Sequence, residues 1–143
     1  RADMTKALPF EAESFDLIFH PVSNCYVEDV KGIWKECYRI LKKGGVLIAG
    51  FDLGINYIVY ETETAIINTL PFNPLINAEH ARQLEETDSG IQFSHTLEEQ
   101  IGGQLEAGFI LTALYEDTNG SGNLYSHNIP AFAATRSIKG SES

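Results

Sequence analysis

The segment that follows the first predicted strand carries the side chains best suited to chemistry. His20, Asn24 and Tyr26 all lie just after Phe19. An imidazole changes its protonation state near neutral pH and can act as a general base, while an amide and a phenol can orient a substrate. The alternative interpretation is that His20 caps the strand by hydrogen bonding to backbone, and that Asn24 and Tyr26 satisfy polar groups of the loop.

The histidines and cysteines do not match a metal site or a reactive thiol. The four histidines are scattered, and no Cys/His spacing resembles a zinc site, so we expect no metal. Cys25 has no adjacent basic residue that would stabilise its thiolate. A disulfide between Cys25 and Cys37, near the ends of one predicted loop-helix unit, is not expected, which favours a reduced, cytoplasmic location.

Charge and hydropathy argue against two classes of partner. The chain has 143 residues, with 10 Lys and Arg against 20 Asp and Glu, and a formal net charge of −10. Binding to nucleic acid needs clustered cations, and the densest basic spot is Lys42-Lys43. The longest apolar run, from Val46 to Phe51, is far shorter than the ~20 residues of a membrane span. We therefore expect one domain that binds neither nucleic acid nor membrane.

The first half of the sequence predicts a strand, a helix and a second strand. Residues 15–19 form a short apolar run typical of a buried strand. From Val30 to Leu41 the apolar positions step by three and four, which predicts a helix that begins after two acidic residues and ends near a capping Gly44. Residues 46–51 read as another buried strand. Such a βαβ unit forms a parallel sheet with a right-handed crossover.

The second half predicts an insertion and then a terminal hairpin. Residues 52–94 contain two weak helical stretches (57–68 and 79–86) around a proline-rich break, and we interpret them as an insertion that covers one end of the sheet. Thr96 and Glu99 form a capping box at the start of a helix that Gly108 ends. Strands are predicted at 109–115 and 130–137, and residues 119–123 form a turn cluster between them. We expect these strands to pair antiparallel at a sheet edge, with Lys139 to Ser143 frayed.

Four passages, in this order and spacing, resemble the class I S-adenosylmethionine-dependent methyltransferases. They are Arg1-Ala2-Asp3-Met4 with LPF at 8–10, SFDLIF at 14–19, YRILKKGG at 38–45 with Lys43 in place of the family's usual proline, and LEAGF at 105–109. The resemblance covers residues 1–137 and is weakest across 52–94. It implies an α/β fold: a partial Rossmann-like methyltransferase sheet with a terminal antiparallel hairpin.

The resemblance also implies roles for particular residues. Asp3 would accept a hydrogen bond from the adenine amino group of S-adenosylmethionine, and Met4 would contact the ring face. Phe19 and His20 would also lie beside the cofactor, and His20 could act as general base for a hydroxyl acceptor. Asn24, Tyr26 and Tyr57 would bind a small-molecule methyl acceptor.

Two parts of the family's cofactor site have no counterpart in the sequence. The glycine-rich loop after the family's first strand is missing, and so is the acidic residue that holds the ribose; Gly120-Ser121-Gly122 is followed by no predicted helix and reads as a hairpin loop. We therefore expect residues 1–143 to be one truncated, carboxyl-terminal methyltransferase domain, with weak or no S-adenosylmethionine binding by this chain alone.

Two other hypotheses remain beside the methyltransferase. One is an inactive remnant that acts as a self-associating or regulatory module. The other is a fragment of a nicotinamide-dependent Rossmann enzyme, which the terminal hairpin disfavours. In the family the strand at 15–19 lies between two others, so without one neighbour its edge would be open, and we expect a homo-oligomer through that edge.

Overall fold

Four strands form one mixed sheet at the centre of the protein. The computed structural model describes residues 2–140, and its strands lie in the order β1-β2-β4-β3. Their bounds are β1 Phe15–His20, β2 Leu41–Asp52, β3 Phe109–Asp117 and β4 Phe132–Lys139. The predicted α/β fold, a partial Rossmann-like sheet with a terminal antiparallel hairpin, is confirmed.

The predicted βαβ unit is confirmed, with one boundary that differs. β1 pairs in parallel with β2, and helix α1, Val30–Ile40, connects them. The predicted glycine cap is wrong, because α1 ends at Ile40 and β2 begins directly at Leu41. Gly44, at φ +80°, lies instead in an irregular stretch of β2, since the pairing passes from Phe15–Leu41 to Leu17–Val46.

The terminal hairpin is confirmed as an antiparallel pair. β4 pairs antiparallel with both β2 and β3, so it joins the hairpin to the parallel unit. Gly120 lies in the connection between the two strands, as predicted. The expectation that no helix follows Gly120-Ser121-Gly122 is wrong, because the short helix α5, Gly122–Ser126, begins there. The expectation of a frayed end is wrong for Lys139, whose Nζ donates to Tyr38 O at 2.9 Å and to Leu41 O at 3.0 Å. Residues 141–143 lie outside the described range.

Residues 53–97 add helices but no strand to the described sheet. Helix α2 spans Ile55–Val59, which is shorter than the helix predicted over 57–68, and α3 spans Ala78–Glu86, close to the prediction. Tyr57, Phe72 and Leu84 form a small apolar core of their own.

One face of the sheet is covered and the other is open. On the covered face α1 packs with a π-helical turn, Glu98–Gly102, and helix α4, Gly103–Ala107. The buried core there is built around Trp34, Leu47 and Phe109. On the other face Leu17 is 58% exposed and Phe19 is 71% exposed. The expectation that β1 is buried is therefore wrong, since an apolar run does not reveal whether both of its faces are covered.

The remaining fold predictions concern single elements. The capping box is confirmed: Glu99 N donates to Thr96 Oγ1 at 3.1 Å, and Thr96 N donates to Glu99 Oε1 at 3.2 Å. Gly108 ends α4 at φ +112°, as predicted. No helix in residues 2–140 combines the length and hydropathy needed to cross a membrane.

Candidate functional site

The structure brings Asp3, Met4 and Tyr26 together around one pocket. This Asp3 pocket has a volume of about 470 Å³. Its lining comprises Ala2, Asp3, Met4, Thr5, Ser23, Tyr26 and Val27. It lies beside the loop that leaves β1 at its carboxyl end, which is the end of a parallel strand where ligands bind in open α/β sheets.

One oxygen of the Asp3 carboxylate is bonded within a local turn, and the other is available to accept a hydrogen bond from a ligand. Its Oδ1 accepts hydrogen bonds from Thr5 N at 2.9 Å and from Thr5 Oγ1 at 2.6 Å. These bonds lower the pKa of Asp3, so the group is an ionised acceptor at neutral pH. Met4 packs against the main core, which fixes the thioether at the pocket wall. An acceptor next to an apolar sulfur fits the amino edge and face of an adenine ring.

His20 points to the covered face and bonds a side chain rather than backbone. Its Nε2 lies 2.7 Å from Asn24 Oδ1, and its ring meets Trp34 edge-on with centroids 5.6 Å apart. Asn24 Nδ2 in turn donates to Gln100 Oε1 at 2.8 Å. Asn24 is 1% exposed and both ends of its amide are engaged, so it holds His20 in place instead of lining a pocket.

The direction of this chain of hydrogen bonds selects one tautomer of His20. Since the Asn24 amide gives its NH₂ group to Gln100, its carbonyl oxygen faces His20, and Nε2 must be the donor. Nδ1 is then the unprotonated nitrogen, and it is the atom that would accept a proton in catalysis. Gln100 could not be predicted as a partner of Asn24, because 76 residues separate the two in the chain.

A second histidine fixes the loop that carries these residues. His95 Nε2 donates to Val27 O at 2.7 Å and to Asn24 O at 3.0 Å, and its Nδ1 lies 2.9 Å from Glu99 Oε2. The buried ring therefore ties the short 3₁₀ turn Asn24–Tyr26 to the capping box of the π-helical turn. This makes His95 a structural residue that the scattered histidine pattern does not predict.

Tyr57 lines a second, separate pocket at the carboxyl end of β2. This Asp52 pocket has a volume of about 250 Å³. Its lining comprises Asp52, Asn56, Tyr57, Tyr60, Glu61, Leu84, Ser89 and Gln92. Cys25, in the loop that also carries Tyr26, packs against the Tyr57 core, so this loop runs between the two pockets.

Asp52 is the less exposed of the two carboxyl groups of the second pocket, and it is half-buried. Its Oδ1 accepts from Gly54 N at 2.5 Å, whereas its Oδ2 has only a 3.5 Å contact to Asn56 Nδ2. Burial raises the pKa of Asp52, and these two hydrogen bonds counteract part of that rise. Asp52 was not singled out from the sequence, although its place directly after a buried strand marks it as a residue of the ligand-binding edge.

Phe19 lies apart from the other residues predicted to bind the cofactor. Neighbouring residues of a strand point to opposite faces, so Phe19 projects from the open face while His20 projects from the covered one. Phe19 lines a shallow groove on the open face together with Ile48, Tyr115 and Arg136.

The thiols are held in unreactive settings. Cys25 and Cys37 are both free. Burial raises the pKa of Cys37 to about 12, and burial together with the nearby Asp52 raises the pKa of Cys25. Within residues 2–140, no group of three or more His, Cys, Asp or Glu side chains is placed to hold a metal ion.

Comparison with known proteins gives consistent matches. A family described as a methyltransferase domain matches residues 1–49. The curated "Uncharacterized methyltransferase YbaJ" of Bacillus subtilis (strain 168) is 40% identical over 140 residues, which cover 91% of this chain and 53% of that protein. The chain thus spans about half the length of this curated relative.

Solved structures share the fold at low sequence identity. An S-adenosylmethionine-dependent methyltransferase from Mesorhizobium loti has a TM-score of 0.72 and 19% identity, over 96% of this chain and 67% of that chain. Geranyl diphosphate C-methyltransferase from Streptomyces coelicolor A3(2) has a TM-score of 0.60 and 12% identity, over 96% of this chain and 52% of that chain. Residues 1–49 thus match a methyltransferase domain, and the chain shares the fold of solved S-adenosylmethionine-dependent methyltransferases.

Proposed function

We propose that this chain contributes the carboxyl-terminal part of an enzyme that transfers a methyl group from S-adenosylmethionine to a small molecule. The observation that carries the proposal is the placement of two pockets at the ligand-binding edge of a methyltransferase sheet. The Asp3 pocket presents an ionised acceptor and a thioether, and the Asp52 pocket presents polar side chains beside an apolar wall.

The residues present suit one end of the cofactor. Asp3 Oδ2 would accept a hydrogen bond from the adenine amino group, and Met4 would lie against the adenine ring. Tyr26, in the loop after β1, would cover the pocket. When bound, the cofactor supplies an electrophilic methyl group on a sulfonium. The task left to the protein is to hold the acceptor atom in line with that methyl carbon, and positioning of this kind contributes much of the rate in such displacements.

His20 would act as the general base for an acceptor that must lose a proton. Its Nε2–H is held by Asn24, so Nδ1 is free to accept the proton of a hydroxyl group. Trp34, which is fully buried, fixes the plane of the ring. Deprotonation of the hydroxyl raises its nucleophilicity as the new bond to carbon forms.

The experiment uses a chimera in which this chain replaces the matched region of the Bacillus subtilis relative. We expect the chimera to form S-adenosylhomocysteine when S-adenosylmethionine is mixed with a panel of small alcohols and amines. Replacing His20 with Ala should slow transfer to an alcohol by about a hundredfold, the usual contribution of general base catalysis.

The control is His127→Ala, because His127 is an exposed residue of the β3–β4 connection. A folded chimera that forms no S-adenosylhomocysteine with any acceptor would contradict the proposal. If His20→Ala leaves the rate of methyl transfer to alcohols unchanged, His20 is not the general base, although the methyltransferase proposal still stands.

A second candidate function is a self-associating module without activity. It is favoured by the position of β1 at the sheet edge, where Leu17 and Phe19 are exposed. A sheet edge of this kind can pair with a second copy of the chain.

A further inference from the structure

Several donors on the wall of the Asp52 pocket already bond to protein oxygens, among them both tyrosine hydroxyl groups. Tyr57 OH donates to Gln92 Oε1 at 2.9 Å, and Tyr60 OH donates to Gln83 O at 2.7 Å. Gln92 Nε2 donates to Ser89 O at 3.1 Å. The oxygens of Tyr57 and Tyr60 can each still accept a hydrogen bond.

The charge of the pocket has the same sign throughout. Asp52 and Glu61 are the two titratable carboxyl groups on its wall, and the lining contains no Lys, Arg or His. Asp52 takes part in no ion pair within residues 2–140, and its Oδ2 has only the long contact to Asn56. Even a half-buried carboxylate loses part of its hydration, so a ligand that brings a positive charge would offset that cost.

Asn56 is held firmly by a partner outside the pocket. Its Nδ2 donates to Asn119 Oδ1 at 3.1 Å, and Asn119 Nδ2 donates back to Asn56 Oδ1 at 2.8 Å. Because this reciprocal pair fixes the Asn56 amide, the amide cannot turn to make a short bond to Asp52. The free oxygen of Asp52 is therefore left for a ligand.

From these contacts we infer that the Asp52 pocket binds the ammonium group of a small amine, which is the methyl acceptor of the proposed reaction. The role of this amine as methyl acceptor rests on the proposed function, whereas the binding of its ammonium group does not. A cavity of about 250 Å³ suits a small ligand, and Leu84 with the Tyr57 ring gives its carbon atoms an apolar wall. An anionic ligand such as a phosphate would meet two carboxyl groups and no Lys, Arg or His.

The chemistry of transfer is compatible with this placement. An ammonium group has no lone pair, so it must first give a proton to a base, and Asp52 is the carboxylate in contact. The nitrogen lone pair then forms the C–N bond to the methyl carbon, the C–S bond breaks, and its electron pair stays on the sulfur of the sulfonium methyl donor. The product amine leaves protonated, and Asp52 returns its proton to solvent.

The test measures binding of butylammonium to this chain by NMR titration near neutral pH, without a methyl donor. Butanol and butyrate are the neutral and anionic probes of the same size. We expect butylammonium to shift the side-chain amide signals of Asn56 and Gln92, and Asp52→Asn to weaken its binding by at least about tenfold, as loss of a charged hydrogen bond does. Butanol and butyrate should cause no saturable shift.

The matched control is Asp117→Asn, because Asp117 is an exposed aspartate at the same sheet edge that does not line the pocket. Asp52→Asn retains an oxygen that can accept from Gly54 N, and its folding is checked by its NMR spectrum. If that variant fails to fold, Tyr57→Phe removes an acceptor oxygen and should weaken binding in the same direction.

Failure of the inference can be distinguished from failure of the proposed function. Butanol binding as tightly as butylammonium, or binding unchanged by both variants, would overturn the inference. In the chimera, amine methylation unaffected by Asp52→Asn would also overturn it, while leaving the methyltransferase proposal intact. Butylammonium binding without any methyl transfer would leave the ammonium site standing and contradict the proposed function.

Discussion

At the scale of single residues, some polar groups of the site support other protein groups, and others are available to a ligand. The buried side chains of His95 and Gln100 form hydrogen bonds to other protein groups. Asp3 and Asp52 each have one carboxylate oxygen without a short contact in the described structure. Supporting side chains such as His95 and Gln100 lose conformational freedom, but they fix the geometry of the groups to which they bond.

The tautomer of His20 provides a direct test of the Asn24 contact. We expect two-bond ¹H–¹⁵N NMR spectra of the neutral ring to show the proton on Nε2. Asn24→Leu removes the acceptor and should give a mixture of tautomers, while Asn24→Asp keeps an acceptor and should retain the proton on Nε2. His127 serves as the internal control, because it is exposed and its surroundings are unchanged by these variants.

A wild-type ring with its proton on Nδ1 would contradict the direction of hydrogen bonding described for Asn24 and Gln100. The same spectrum for Asn24→Leu and wild type would show that Asn24 does not position the ring.

Some residues of the site could be predicted from the sequence and others could not. The family resemblance predicts Asp3 and Met4 for the cofactor and Tyr26 for the acceptor, whereas the structure places all three around one pocket. Gln100 could not be named, because its contact to Asn24 depends on a fold that brings distant segments together. Asp52 lies between these cases. Its position after a strand can be read from the sequence, but its lack of a cationic partner can be seen only in the described structure.

At the scale of elements, the glycines at the start of α4 serve different purposes. Both Gly102 and Gly103 have ordinary helical backbone angles. The sequence alone predicts the same cost for each, about 1 kcal/mol relative to alanine. In the structure, a Cβ on Gly103 would lie 2.7 Å from Trp34 Cδ1, whereas a Cβ on Gly102 would meet only Glu98 Cγ at 3.7 Å.

These two positions should therefore respond to alanine in opposite directions. We expect Gly102→Ala to raise the free energy of unfolding by about 0.5–1 kcal/mol, because alanine favours the helix. Gly103→Ala should lower it by about 1–3 kcal/mol, because the added methyl group forces Trp34 out of its packed position. Urea denaturation of both variants measures the difference, and equal effects at the two positions would contradict the described packing of α4 on α1.

The elements themselves follow from local patterns, but their ends and surroundings do not. Helical spacing located α1, and the capping box located the turn that precedes α4. The end of α1 was misplaced because Gly44 adopts the expected left-handed backbone for a different reason, an irregularity in β2. An apolar strand pattern likewise does not reveal whether one or both faces of the strand are covered.

At the scale of the whole molecule, β1 combines an edge position with an uncovered apolar face. Within the described residues it pairs only with β2, and Leu17 and Phe19 are exposed. We propose that copies of this chain associate through β1, by pairing of strand edges and by contact of the open faces.

Light scattering after size-exclusion chromatography tests this association. We expect the chain to form dimers or larger assemblies, and Leu17→Lys to shift it toward the monomer by placing a charge at the edge. Ile76→Lys is the matched control, because Ile76 is 77% exposed but lies outside the sheet. A monodisperse monomer for the unmodified chain would contradict the proposal.

The central claim is that this chain forms one side of an S-adenosylmethionine site. The most direct measurement is isothermal titration of S-adenosylmethionine into the chimera with the Bacillus subtilis relative, into its Asp3→Ala variant, and into this chain alone. We predict binding by the chimera, at least about tenfold weaker binding by the variant, and weak or no binding by the isolated chain. A folded chimera that binds no S-adenosylmethionine, or binds it equally well without the Asp3 carboxylate, would contradict the account.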